Sequence, residues 1–172
     1  MRKLRLLLWK QCPRNCDGCC NKDWDIDSLP FAKDFSKYDQ ILLTGGEPML
    51  YPRKVFECIK IIRSHTDASI YMYTALVKNT IETLGILSIL NGITVTLHEQ
   101  EDVVPFNIFN EYIKYIPWHE YSLRLNVFKE VNIENVDTRL WKLKDKMKWI
   151  PNCPLPENEE LLKYNGGKRS ND

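Results

Sequence analysis

The stretch Ile41-Leu42-Leu43-Thr44-Gly45-Gly46-Glu47-Pro48 indicates the fold class. Three consecutive aliphatic residues are typical of a strand buried on both faces, as the strands of parallel sheets are. Two glycines then let the backbone approach a ligand closely, and the glutamate supplies a charge that matches an ammonium group. Because parallel α/β sheets bind ligands beyond the carboxyl ends of their strands, this Gly-Gly-Glu segment (Gly45, Gly46 and Glu47) is predicted to line a ligand site. An ordinary strand-to-loop turn is the alternative.

A group of closely spaced cysteines follows the strand predicted upstream of that stretch. Alternating leucines over residues 4–8 predict a strand near the edge of the sheet. The next loop carries Cys12, Cys16 and Cys19, spaced Cys-x3-Cys-x2-Cys and called here the cysteine triplet. Three thiolates can hold three corners of a [4Fe–4S] cluster and leave one iron open, as catalytic metal sites do. The triplet therefore predicts a metal centre that carries out chemistry.

Zinc is the alternative metal for the triplet. A zinc knuckle would be completed by Cys20, Cys153 or a histidine. Cys20 also forms a Cys16-x3-Cys20 spacing, but no following cysteine completes a second triplet, so it is interpreted as a bystander. Cys153 lies between prolines and is expected either to face the substrate or to be inert.

Taken together in this order, the cysteine triplet and the Gly-Gly-Glu segment resemble the motifs of the radical S-adenosylmethionine (radical SAM) superfamily. The resemblance implies that the triplet binds a [4Fe–4S] cluster, that SAM chelates the open iron, and that the Gly-Gly-Glu segment helps to hold the SAM amino group. The family usually has an aromatic residue just before the third cysteine, where this chain has Gly18. Trp24 is a candidate to replace the missing apolar surface.

Four further residues are predicted to contact SAM. Thr74 and His98 end the predicted third and fourth strands, where the family commonly places ribose and carboxylate contacts. Arg124 and Asn126 share the polar face of the fifth strand, and Arg124 is suited to a bidentate pair with the SAM carboxylate. The alternative for Arg124 is a solvent-exposed face, and for His98 an ordinary hydrogen-bonded position.

Helices alternate with strands along the chain, which predicts right-handed crossovers in a parallel sheet. A helical stripe is predicted over 136–147, followed by a sixth strand at 148–150, although the alternating lysines of this region also fit a long edge strand. Six units are too few for an eight-stranded barrel of about 250 residues. The fold class predicted is therefore α/β, a partial (β/α)6 barrel over 1–150 that is open on one side. The tail, 151–172, is expected to form one short helix over 157–164 and to be disordered from 166 onward.

Composition gives no general attraction to nucleic acid or membranes, because 24 Lys and Arg nearly balance 23 Asp and Glu. No apolar run approaches the ~20 residues of a membrane span, and the Met1–Lys10 run lacks the features of a signal peptide. We therefore expect a cytoplasmic protein whose six cysteines are ligands or buried thiols rather than disulfides.

The function implied by the resemblance is that of a radical SAM enzyme, an oxidoreductase or lyase. An electron from a donor such as flavodoxin or ferredoxin enters the cluster, SAM is cleaved reductively, and a 5′-deoxyadenosyl radical abstracts hydrogen from a small-molecule or protein substrate. One cluster is expected, because only Cys153 lies beyond Cys58. The alternatives are an activase of a glycyl-radical enzyme, which needs a large protein partner, and a non-catalytic zinc-binding interaction module.

Overall fold

The computed structural model describes residues 1–166, which form seven strands and four α-helices. The strands are β1 (Lys3–Leu7), β2 (Gln40–Thr44), β3 (Ser69–Thr74), β4 (Gly92–Leu97), β5 (Ser122–Phe128), β6 (Lys142–Met147) and β7 (Glu159–Lys163). The helices are α1 (Cys20–Asp23), α2 (Pro52–Arg63), α3 (Thr80–Leu87) and α4 (Val103–Ile113). None of the helices in this part of the chain is long and apolar enough to cross a membrane.

All seven strands belong to one parallel sheet, in the order β6-β5-β4-β3-β2-β1-β7. Within residues 1–166 the sheet does not close, because β6 and β7 lie at opposite edges. The prediction of an α/β fold with parallel strands is confirmed at this level. From β1 to β6 the spatial order follows the chain order, and right-handed crossovers are expected to put α2, α3 and α4 on the same face, where α3 contacts both α2 and α4.

The helix-covered face of the sheet forms the hydrophobic core. Alternate strand residues such as Leu43, Met72 and Leu125 are fully buried there against helix residues such as Ile59 and Phe106. The opposite face carries polar and aromatic side chains at the intervening positions. These include Arg5, Tyr71, Tyr73, Thr94, Thr96, Arg124 and Asn126. The sheet therefore separates a packed apolar layer from a face with hydrogen-bonding capacity.

The helix predicted over 136–147 is wrong. Lys142–Met147 is an edge strand that pairs with β5, with Leu143 opposite Leu125. Lysines at every second position are typical of an extended strand, and a lysine-rich exposed edge resists pairing with other chains. The strand predicted at 148–150 is also wrong, because this segment is irregular and exposed.

The short helix predicted over 157–164 is likewise a strand, β7, which pairs with β1. Leu161 and Leu162 are both buried there. Because successive side chains of a strand point to opposite faces of the sheet, β7 is covered on both faces at this point. The chain past residue 150 thus adds a seventh strand to the sheet. The disorder predicted from 166 onward lies, apart from Gly166, outside the described residues.

Candidate functional site

The two sequence motifs lie against each other at the carboxyl edge of the sheet. The Glu47 backbone N–H donates to the Gln11 carbonyl at 2.9 Å, and the Trp9 indole N–H donates to the Glu47 carbonyl at 2.9 Å. A Cβ at Gly46 would lie 2.2 Å from the Gln11 oxygen. The loop that carries the cysteine triplet is therefore held directly on the Gly-Gly-Glu segment.

Both glycines of that segment have left-handed backbone torsions, with φ of 83° at Gly45 and 54° at Gly46. A Cβ at Gly45 would also lie 2.2 Å from Cγ of Leu7, the last residue of β1. Glycine is thus required at these positions both by torsion and by the close approach of the two loops.

Glu47 is buried, with 3% of its surface exposed, and its carboxylate binds three donors. Oε1 accepts from the Met49 N–H at 2.9 Å and from the Thr74 hydroxyl, and Oε2 accepts from the Ala75 N–H at 2.9 Å. Burial raises the pKa of Glu47, while these three donors act in the opposite direction. A carboxylate has about four acceptor positions, and these donors occupy three of them. Thr74, which is predicted to contact SAM, is buried and donates its hydroxyl to Glu47.

The thiols of the cysteine triplet are all free; Cys12 is exposed, and Cys16 and Cys19 are half-buried. Within residues 1–166 no three His, Cys, Asp or Glu side chains are close enough together to hold a metal ion as they stand. The donor set nevertheless fits an iron–sulfur cluster, because three soft thiol ligands lie on one loop and a fourth iron position would stay open. Burial raises the pKa of Cys12 and Cys16 in the metal-free protein, so cluster binding must release their protons.

Arg14, between the first two cysteines of the triplet, anchors the loop to the ends of β3 and β4. Its guanidinium donates to the Asp102 carboxylate and to the Ala75 carbonyl, the latter at 3.2 Å. The second oxygen of Asp102 accepts from the backbone N–H groups of His98 at 2.8 Å and Glu99 at 3.2 Å. Sequence reasoning missed this pair, since nothing local to either residue indicates a partner 88 positions away.

His98 lies beside the triplet, with Nδ1 3.9 Å from the Cys16 Sγ. Its ring packs against Phe128, with ring centroids 4.9 Å apart, and against Trp149 at 5.2 Å. Burial, and then the charge of Arg14, lowers the pKa of His98 to about 4. The imidazole is therefore neutral at pH 7.

A cavity of about 260 Å³ lies next to this histidine. Its wall includes Thr96, His98, Asn126 and Phe128 from the strand ends and Trp149 from the chain past β6. Asn126 therefore lies where a ligand contact was predicted. Arg124 does not line the cavity; it is exposed on the same strand, two residues farther from the carboxyl edge.

Three residues, Cys20, Cys153 and Trp149, take positions that the sequence did not suggest. Cys20 and Cys153 form a disulfide, so the expectation that no cysteines pair is wrong, and neither is available to complete a zinc knuckle in this structure.

The indole of Trp149 covers Gly18, where a Cβ would lie 2.3 Å from the Trp149 Cγ. Trp149, rather than Trp24, supplies the aromatic surface beside the third cysteine. Trp24 donates its indole N–H to the Cys153 carbonyl at 3.1 Å.

No protein-family model, curated protein or solved structure matches this chain. The functional interpretation therefore depends on the two motifs and on the geometry of their contact.

The packing of Trp149 on Gly18 gives a testable prediction. We expect Gly18→Ala to destabilise the protein by about 1–3 kcal/mol, because the new Cβ displaces the tryptophan. In a Trp149→Gly background the same substitution should cost at least about 1 kcal/mol less. Gly85→Ala is the matched control, since nothing lies within 4 Å of its Cβ position. Urea unfolding of the wild type, the two single variants, their double variant and the control measures the effect, and an equal cost of Gly18→Ala in both backgrounds would contradict the packing.

The low pKa of His98 predicts a pH dependence of stability in the metal-free protein. The unfolded chain takes up the proton near the ordinary pKa of 6.5, and the folded chain only near about 4. Stability is therefore present above pH 6.5 and is lost as the pH falls toward 4, by about 2 kcal/mol for this partly buried ring. His98→Phe keeps an aromatic ring but does not titrate. Its free energy of unfolding should therefore change less between these pH values than that of the wild type. Parallel slopes for the two proteins would contradict the prediction.

Proposed function

We propose that this protein is a radical SAM enzyme. The cysteine triplet would hold a [4Fe–4S] cluster, and with SAM bound the cluster would supply the radical chemistry that abstracts hydrogen from a substrate. The observation that supports the proposal is the contact between the cysteine triplet loop and the Gly-Gly-Glu segment through two hydrogen bonds at the carboxyl edge of a parallel sheet. A loop of three free thiols beside a buried carboxylate suits a site that binds both a cluster and an ammonium group.

The partial barrel belongs to the same proposal. Parallel sheets are usually covered on both faces, whereas here the right-handed crossovers put the helices on one face. Curling of the sheet would turn the uncovered face, with Tyr73, Thr96 and Asn126, into a polar interior. The first six strands would then form the wall of the partial barrel, with no helix between β5 and β6 in the described part of the chain, and β7 would extend it beside β1.

Each part of the site has a distinct task under this proposal. The triplet holds the cluster, and Arg14 fixes the loop between its first two ligands. The remaining acceptor position of Glu47 binds the SAM ammonium group, while Thr74 orients the carboxylate. Asn126 offers an amide to the ligand from the cavity wall. Arg124 is proposed to reach the SAM carboxylate from the open face, and an external protein such as flavodoxin or ferredoxin supplies the electron.

The experiment that tests the proposal is a SAM-cleavage assay. The anaerobically reconstituted protein is incubated with SAM and dithionite, and the products are separated by liquid chromatography. We expect 5′-deoxyadenosine and methionine to form in equal amounts, and neither to form with protein that has no cluster. A reconstituted protein that binds iron and sulfide but leaves SAM intact would contradict the assignment.

A further inference from the structure

The chain between β6 and β7, residues 148–158, forms part of the wall of the cavity and is called here the strap. It contributes Trp149, Ile150, Pro154 and Leu155 to the cavity wall. The ends of β4 and β5 and the end of the cysteine loop at Gly18 also line the cavity, and Trp149 packs against Gly18, His98 and Phe128. The position of the strap therefore determines how open the cavity is.

Few contacts hold the strap in place apart from the disulfide. Cys153 is its only buried residue, whereas Ile150 and Leu155 are 55% and 37% exposed. Its backbone is irregular, and Asn152 and Cys153 both have positive φ angles, of 60° and 34°. The Trp24 indole bond to the Cys153 carbonyl joins it to the region beyond α1. A segment with so few buried apolar contacts opens locally at low free-energy cost unless it is anchored.

The disulfide anchors the strap to the cysteine loop. Cys153 is linked to Cys20, which is the first residue of α1 and directly follows the third cysteine of the triplet. The two residues are 133 positions apart in the chain. This covalent bond therefore connects the cover of the cavity to the loop that carries the candidate cluster ligands.

We propose that Cys20 and Cys153 are a redox-active pair whose disulfide locks the strap over the cavity and whose reduction by a dithiol releases it. A thiolate of the reductant attacks the Sγ of Cys20, the less buried partner, and the Cys153 thiolate leaves. The second thiol of the reductant then resolves the mixed disulfide. The reductant gives two electrons and two protons and becomes a cyclic disulfide, while the protein gains two thiols.

The release of the strap follows from the same contacts. After reduction, the strap is still held by the Trp24 hydrogen bond, by the packing of Trp149 on Gly18, His98 and Phe128, and at its end by the Lys3 N–H bond to the Asn158 carbonyl. Opening then exposes the cavity and frees the end of the cysteine loop. This proposal concerns the metal-free chain as well, so it stands or falls independently of the SAM chemistry.

Limited proteolysis of the metal-free protein tests the proposal. One sample is treated with oxidised glutathione and another with dithiothreitol, and peptide mapping then identifies the link between Cys20 and Cys153. Trypsin is expected to cleave after Lys148, within the strap, about tenfold faster in the reduced sample. Cleavage after Arg139, whose side chain is 85% exposed outside the strap, is the internal control and should not change.

Two variants make the test independent of the reagents. Cys20→Ser and Cys153→Ser should each show the fast cleavage after Lys148 in both samples, because neither can form the bond. Agreement between them excludes a folding defect of one variant as the cause. Failure of oxidised glutathione to link Cys20 to Cys153, or equal cleavage of oxidised and reduced protein after Lys148, would overturn the proposal. Neither result would affect the SAM-cleavage assay, which uses the reduced protein.

Discussion

Replacing Cys16 by alanine is expected to abolish cluster binding. The residue is one of only three thiols in the triplet, and two thiolates do not retain a [4Fe–4S] cluster. Iron should fall from about four per chain to near zero after anaerobic reconstitution, and SAM cleavage should stop with it. Colorimetric iron and acid-labile sulfide assays measure the loss.

Cys58→Ala is the matched control for this substitution. Cys58 is fully buried on α2 in the hydrophobic core, where burial raises its pKa to about 12. Its replacement should cost stability by about 1 kcal/mol and leave the iron content unchanged. Full iron and sulfide content in Cys16→Ala would show that the triplet is not the ligand set.

Removal of the Glu47 side chain is expected to cause the second large effect. Glu47→Ala leaves the Met49 and Ala75 N–H groups and the Thr74 hydroxyl without their acceptor at a buried position. Each such group costs about 1–3 kcal/mol, so we expect a loss of about 4 kcal/mol, a large part of the stability of an ordinary domain. The midpoint of urea unfolding of the metal-free protein measures it.

Glu47→Gln separates hydrogen bonding from charge. Its carbonyl oxygen can keep the bonds to Met49 and Thr74, but its NH2 group faces the Ala75 N–H, which is also a donor. We expect a loss of about 1–2 kcal/mol, clearly smaller than for alanine. SAM affinity should fall in both variants because both lack the negative charge. Wild-type stability of Glu47→Ala would mean that the carboxylate does not join the ends of β2 and β3.

Predictions that depend on local sequence agree well with the structure. The run 41–43 forms a strand of a parallel sheet, and the loops after β1 and β2 meet because parallel strands end at the same edge.

The helix prediction for the stretch 136–147 is wrong because its apolar residues fit a helical period while its lysines fit an extended one. Pairing with β5 decides between the two periods, and that pairing is a tertiary interaction.

Contacts between distant parts of the chain had no sequence signal. Arg14 lies in the same loop as the triplet, yet its partner Asp102 is recognisable only when β4 and the start of α4 are in place. The disulfide joins residues 133 positions apart, and two cysteines that belong to no motif do not indicate whether they meet. Trp149 covers Gly18 only because the strap returns across the strand ends.

Metal analysis of the wild-type protein tests the central claim most directly. The protein is reconstituted anaerobically with iron and sulfide in the presence of equimolar zinc, desalted, and analysed for all three elements. We predict about four irons and four sulfides per chain, with a brown chromophore and little zinc. One zinc per chain without sulfide would contradict the account and assign the cysteine triplet to a zinc-binding module.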